Sequence, residues 1–359
     1  MANVMLLVGT KKGAFILRSD EARKDWQVSG PLCDHWPMSH VNYDPATGTI
    51  LAAGGDAWFG HAIWRSPDLG ATWTHSSAGL ENAEGEPPVT AVWNVTPAHG
   101  SLYVGTDPGG LFRSDDGGET WSELKGLRTA PAREMWNPGG AGLILHTIVP
   151  HPTDKARMWV AISSAGVYAT EDGGETWMPR NHGTRAGFLP EEIRENPVAG
   201  QCCHRLVMPK TDSGFLFQQS HEGVYRSSDG GVTWTEVTAG LPSEFGFAVA
   251  AHPRDSRTFF NIPLTDPFSG RYMPNGEAAV WKTTDAGDTW QKLTNGLPQE
   301  NAYMAVLRGA MSTDTLDKAG VYFGTSSGQL WGSADEGDSW RQIAGFLPAI
   351  SSVEAVVLS

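Results

Sequence analysis

Residues 110–124 read GLFRSDDGGETWSEL. At their centre lies an eight-residue phrase, Ser/Thr-x-Asp-x-Gly-x-Thr/Ser-Trp, here running from Ser114 to Trp121. Strand-like runs flank it on both sides. A short carboxylate such as Asp116 bonds backbone N–H groups two residues on and closes a turn. Gly118 accepts the positive φ that such a turn needs. Trp121 supplies a large apolar plug between packed sheets. The phrase therefore reads as a structural hairpin, not a catalytic loop. A calcium loop of the EF-hand kind needs more carboxylates and a distal Glu.

The phrase recurs from Ser66 to Trp73, Thr170 to Trp177, Ser227 to Trp234, Thr283 to Trp290 and Ser333 to Trp340. An eroded copy from Ser19 to Trp26 keeps the end residues and the spacing but loses the Asp and the Gly. Self-similarity at a period near fifty residues marks a repeat architecture, and four short strands per unit mark a propeller blade. The phrase resembles the Asp-box, or BNR repeat, of sialidases, some propeller glycosidases, sortilin-type receptors and photosystem II assembly factors. That resemblance implies an all-β, seven-bladed β-propeller with Asp-box hairpins. It does not choose a function, because those families do different things. Sialidases also carry a Phe/Tyr-Arg-Ile-Pro motif. The nearest stretch here, Phe15-Ile16-Leu17-Arg18, lacks the Pro, so a true sialidase is not expected.

Each blade is expected to run from an inner strand a to an outer strand d. Strand a is expected at Val41 to Pro45, Val92 to Pro97, Thr147 to Pro152, Arg205 to Pro209, Ala248 to Pro253 and, without a Pro, Met304 to Leu307. The N-terminus starts at a strand b, Val4 to Gly9, and the missing strand a is Val353 to Leu358. The first blade is thus closed by the C-terminal strand, which removes an exposed edge. Seven such blades use all 359 residues, so one domain, 1–359, is expected. Loops d-to-a and b-to-c then share one end of the propeller, the top. The resemblance implies that sites sit there, around the channel mouth.

The 43 Gly and 23 Pro suit many short strands and tight turns, and 15 Trp argue against disorder. A net charge of −14 disfavours nucleic acid and anionic membranes as partners. No long apolar stretch predicts a membrane helix, and the first ten residues lack the basic start of a signal peptide. Cys33, Cys202 and Cys203 are an odd set that suits a reducing compartment, so a cytoplasmic location is expected.

Seven of the eleven histidines map to the top, and three of them, His40, His146 and His204, share one place at the start of an inner strand. The equivalent places elsewhere hold Trp93, Phe247, Tyr303 and Glu354. Inner strands ring one axis, so these side chains are expected to converge. His40, His146 and His204 are candidate ligands for one transition metal, Zn, Cu or Fe. With Glu354 they are equally candidates for acid–base catalysis, or they line a wet channel. Cys202 and His204 point to the same side of their strand, as nucleophile and base do, whereas Cys203 points away.

The long top loops are a second signal. Loop 126–142 carries Arg133, Glu134 and Trp136; loop 180–201 carries Glu191, Glu192, Arg194 and Glu195; loop 265–276 carries Arg271 and Tyr272. Long loops in a compact fold are usually lids or binding elements. Candidate ligand contacts are Trp93, Tyr303, Arg205, Arg133, Trp136, His61 and His221. A two-carboxylate glycosidase would draw on Glu134, Glu191, Glu192, Glu195 or Glu354. The favoured expectation is an enzyme performing metal- or His-assisted hydrolysis, or a related conversion, of a small polar or glycan-like substrate. The alternative is a non-catalytic scaffold for a protein partner, anchored by aromatics such as Trp136 and Phe188.

Overall fold

The computed structural model describes residues 3–131, 133–140, 142–191 and 198–358. Among them, seven four-stranded antiparallel sheets follow one another along the chain. The innermost strands are Met38–Asp44, Ala91–Ala98, Leu145–Pro150, Cys203–Val207, Gly246–Ala251, Met311–Thr313 and the C-terminal Ile350–Leu358. Each touches the next, and the last touches the first, so they close a ring around one axis. Ile350–Leu358 pairs with Asn3–Thr10 over its whole length, from Asn3 opposite Leu358 to Thr10 opposite Ile350. The expected closure of the first blade is therefore present.

The boxes explain why each blade turns where it does. In the fourth blade, Thr170 Oγ1 donates to Asp172 Oδ1 at 2.8 Å and accepts from the Gly174 N–H at 2.9 Å. Thr176 then donates twice to Asp172, from its N–H at 2.9 Å and its hydroxyl at 2.6 Å. The carboxylate thus spans four residues rather than the two expected from a simple Asx turn. These donors hold the Asp172 carboxyl down at about 2. Gly174 has φ +101°, which only a residue without Cβ adopts cheaply. Trp177 then enters the space between blades, 1% exposed, with its Nε1–H on the Gly174 carbonyl.

Second strands carry the core. Every residue of Met158–Ile162 and of Leu216–Ser220 is buried, because both faces of the sheet pack on neighbouring blades. One element departs from expectation. Met304–Leu307 is not a strand; the inner strand of the seventh blade is Met311–Thr313. The segment 294–310 is therefore a long top loop. The missing Pro in that run was the only local sign.

No helix among the described residues is long and apolar enough to cross a membrane. All three cysteines are free.

Candidate functional site

The inner strands carry an irregularity near their top ends, and it decides which side chains reach the axis. In the fourth blade Leu145 pairs with Ile162 and Thr147 with Ala161, so His146 is the extra residue. In the fifth, Cys203 pairs with Ser220 and Arg205 with Gln219, so His204 is extra. Trp93 is extra in the third blade, between Val92 and Asn94. Ser351 is extra in the first, between Ile350 and Ser352. In the second blade Met38 pairs with Gly54 and His40 with Ala53, which makes Ser39 the extra residue. A bulge re-aims the side chain it contains.

His146, His204 and Trp93 therefore share one structural place, as expected, but His40 does not. His40 lies one step deeper, level with Thr147 and Arg205. Glu354, opposite Leu7, lies two steps below that level. Tyr303 sits on the 294–310 loop, not on a strand.

The channel is divided by these levels. An upper cavity of about 420 Å³ is lined by the extra residues Ser39, Trp93, His146 and Ser351, together with Lys11, Phe247, Arg271, Tyr272, Tyr303 and Arg308. A lower cavity of about 270 Å³ holds Glu354 and Lys210. His40 and Arg205 line both, so they form the waist between them. A side pocket of about 240 Å³ contains Cys202, His204, His221 and Phe188 and shares Phe247, Arg271 and Arg308 with the upper cavity.

The proposed catalytic group is thus spread over three compartments. His40 and His146 face the upper cavity, His204 the side pocket, and Glu354 the lower cavity. No carboxylate lines the upper cavity among the described residues. Glu134 and Glu191 are exposed outside it, and Glu192, Arg194 and Glu195 lie outside the described residues.

Hydrogen bonding assigns the imidazoles their forms. His146 Nε2 is 2.9 Å from the Cys203 carbonyl, which can only accept, so Nε2 carries the proton. Its Nδ1 then accepts from Thr147 Oγ1 at 2.9 Å. Both His146 nitrogens are taken by protein groups. His40 accepts the Val95 N–H on Nδ1 at 3.4 Å, which leaves its Nε2–H free at the waist. His204 donates Nδ1–H to the Gly246 carbonyl at 2.6 Å and keeps a lone pair on Nε2. Burial, and then the charge of Arg205, push His40 down to about 3. Burial and Arg308 likewise push His146 and His204 well below the usual histidine range. These imidazoles are neutral at pH 7. They suit hydrogen-bond donation or metal ligation better than general-base catalysis.

For a metal, the expected set His40, His146 and His204 does not come together. Among the described residues, Cys202, His204 and His221 instead bring donor atoms within 4.8 Å of one another. The expected pairing of Cys202 with His204, and not of Cys203, is part of that cluster.

Three expected ligand contacts stand elsewhere. Trp136 is 7% exposed and its Nε1–H bonds the Tyr168 hydroxyl at 2.7 Å. Arg133 stacks on the Trp136 ring at 4.5 Å, so this pair staples its loop to the fourth blade. His61 bonds the Leu80 carbonyl at 3.0 Å and lines none of the three cavities. Lys11 and Arg308 were not among the expected site residues. Arg308 was hidden because its segment reads as the end of a strand.

A family model described as BNR/Asp-box repeat matches residues 112–123. A xyloglucanase from a Paenibacillus species is 24% identical over 90% of this chain, which spans 31% of that enzyme. A xyloglucanase from Hypocrea jecorina is 24% identical over 76% of this chain and 34% of its own length. This chain thus spans about a third of the length of these curated relatives. Among solved structures, a GH74 enzyme from Niastella koreensis superposes over 98% of this chain and 51% of its own, with TM-score 0.61 and 17% identity. YCF48 bound to a D1 peptide superposes over 94% of this chain and 89% of its own, with TM-score 0.55 and 15% identity. At such identities the structural likeness establishes fold alone. The boxes, the seven sheets and the strand exchange between the termini agree with it: this chain is a seven-bladed β-propeller whose third-blade box, at residues 112–123, matches the BNR/Asp-box repeat.

Proposed function

We propose that the upper cavity is the working site and that it takes a small, polar, glycan-like ligand for hydrolase-like chemistry. The observation that carries this reading is the convergence of residues remote in sequence on one recess, with Trp93, Tyr272 and Tyr303 beside polar donors. Flat aromatic faces beside hydrogen-bonding groups suit a sugar ring, and a few hundred cubic ångströms suit a small ligand. The xyloglucanase relatives, which act on a glycan by name, support the same class.

In this reading His40 is the central donor. Its neutral Nε2–H and the Arg205 guanidinium face the cavity floor, where they stabilise negative charge that develops on a substrate oxygen. His146 is a positioning residue, held by Cys203 and Thr147. The test is turnover of a panel of xyloglucan and other oligosaccharides by the wild-type protein and by His40→Ala. Turnover lost in the variant, with thermal unfolding unchanged, supports the reading. Turnover unaffected by the variant, or no binding of any small polar ligand, overturns it.

A second reading rests on the exposed aromatics of the top loops. Trp58 is 88% exposed and Phe268 97%, on two b-to-c loops; Phe346 protrudes fully on a d-to-a loop. Such a rim suits a peptide or protein partner, and YCF48 binds a D1 peptide on this fold. Replacing Trp58 and Phe268 with Ser would abolish capture of such a partner while leaving turnover intact.

A further inference from the structure

The upper cavity concentrates positive charge in a protein of net charge −14. Lys11, Arg205, Arg271 and Arg308 line it, and no Asp or Glu does so among the described residues. Among the described residues, none of the four makes an ion pair. With 40 acidic residues in the chain, partners were plentiful. Lys11 and Arg271 stay exposed to solvent, whereas Arg205 and Arg308 are half-buried. Glu354 in the lower cavity acts on Arg205 only from beyond ion-pair distance, and no carboxylate acts on Arg308. Withdrawing a guanidinium from water without a close counter-charge is costly.

The hydrogen-bond inventory says the same. The Nε atoms of Arg205 and Arg308 and the Nε1 of Trp93 are buried with no partner. Arg308 has one long contact, from Nη2 to Ser163 Oγ at 3.5 Å. Arg271 has one, from Nε to the Pro267 carbonyl at 3.4 Å. Each of these unpartnered atoms is a donor, so the group that complements them is an acceptor. Arg308 lies over the Phe247 ring at 4.9 Å and Arg271 over the Phe245 ring at 5.9 Å. Stacking fixes a guanidinium plane and leaves its edge free for a two-pronged oxyanion. The neighbouring histidines are neutral, partly because these arginines repel a second charge.

We infer that the ligand of the upper cavity carries an oxyanion, a carboxylate or a phosphate, which Arg205 and Arg308 bind, with Arg271 and Lys11 adding attraction. This rests on the reading of that cavity as the working site and narrows its ligand to an acidic small molecule of sugar size. A neutral xyloglucan fragment offers hydroxyl acceptors but leaves the positive charge of the cavity unmatched.

The test is titration calorimetry of the whole chain with five probes: glucuronate, glucose 6-phosphate, neutral glucose, acetate and inorganic phosphate. The acidic sugars should bind about tenfold or more tightly than glucose. Their affinity should fall by a similar factor in Arg205→Met and in Arg308→Met, and should weaken with salt. Preference for glucuronate and acetate identifies a carboxylate ligand; preference for the phosphates identifies a phosphate ester. Should Arg308→Met fail to fold, Arg308→Lys, which keeps the charge but not the fork, is expected to weaken binding less than full removal. Glucose bound as well as glucuronate, or acid binding untouched in both variants, overturns the inference while leaving a sugar site standing. Acetate or phosphate bound in an Arg308-dependent way, with no sugar bound, upholds the anion site and overturns the glycan reading. No probe bound at all overturns both.

Discussion

Arg23 Nη1 lies 3.0 Å from Asp314 Oδ2, and both side chains are almost wholly removed from solvent. Arg23 occupies the place of the glycine in the eroded first box and takes up its left-handed backbone, with φ +55°. Its guanidinium crosses to the seventh blade, where it also bonds the carbonyls of Lys318 and Ala334. Asp314 accepts from Tyr322 Oη at 2.7 Å and from the Gly320 N–H at 2.8 Å. Where the first box lost its Asp and its glycine, the first and seventh blades gained a buried ionic latch.

Breaking that latch should be expensive. Asp314→Ala leaves Arg23 buried and unpaired, and an expected loss of about 3–5 kcal/mol follows from other buried pairs cut on one side. Arg23→Gly leaves Asp314 buried without its cation, but that carboxylate keeps donors from the Leu316 and Gly320 N–H groups and Tyr322 Oη, and the left-handed backbone is relieved, so it should cost less. Urea unfolding of the two variants and of the double variant checks this. Equal and additive losses would show that the pair is not coupled.

Acid should destabilise the fold before its carboxylates titrate. His40 is neutral when folded and titrates only near 3, against 6.5 for an ordinary histidine. Below pH 6.5 the unfolded chain takes up a proton that the folded chain refuses. Stability is therefore unaffected above pH 6.5 and falls as the pH drops from there toward 3, by about 1.4 kcal/mol per pH unit for one such group. His40→Gln should flatten the slope of unfolding free energy between pH 6.5 and 4. An unchanged slope would mean that His40 takes up its proton as readily in the folded chain as in the unfolded one.

Zinc loading separates two sets of histidines. His146 has no free ring nitrogen, whereas His204 keeps Nε2 beside Cys202 and His221. Any stoichiometric zinc retained after dialysis, measured by elemental mass spectrometry, should survive His146→Ala and be lost in His221→Ala. The reverse pattern would return the metal to the His40, His146 and His204 set.

Trp136 and Tyr303 should part company on mutation. Trp136 is packed under its loop, so Trp136→Ala should cost about 3–5 kcal/mol of stability and leave ligand affinity unchanged. Tyr303 is 65% exposed and lines the upper cavity against Tyr272, with ring centroids 5.2 Å apart. Tyr303→Ala should leave stability within about 0.5 kcal/mol and weaken the ligand. Parallel thermal melts and titrations decide it.

The order of blades, their number and the exchange of strands between the termini are written in the chain itself. Each box closes on its own side chains: Thr170, Asp172, Gly174 and Thr176 need no distant partner to make the turn. Local bonds repeated at a near-constant period are legible without coordinates. The site was legible only in outline. His146, His204 and Trp93 do share a place, and Arg205 and Tyr303 do reach the cavity. His40 and Glu354, however, were assigned levels that the bulges shift, because one extra residue in a strand moves every later side chain by a step. Ser39, not His40, sits in the second blade's bulge, and no pattern of residue types around it announces that. Arg308 and Lys11 were invisible for a related reason: they come from a loop and a turn at opposite ends of the chain. Which charges meet across the channel, and that no carboxylate meets them there among the described residues, is settled by how seven blades close around one axis.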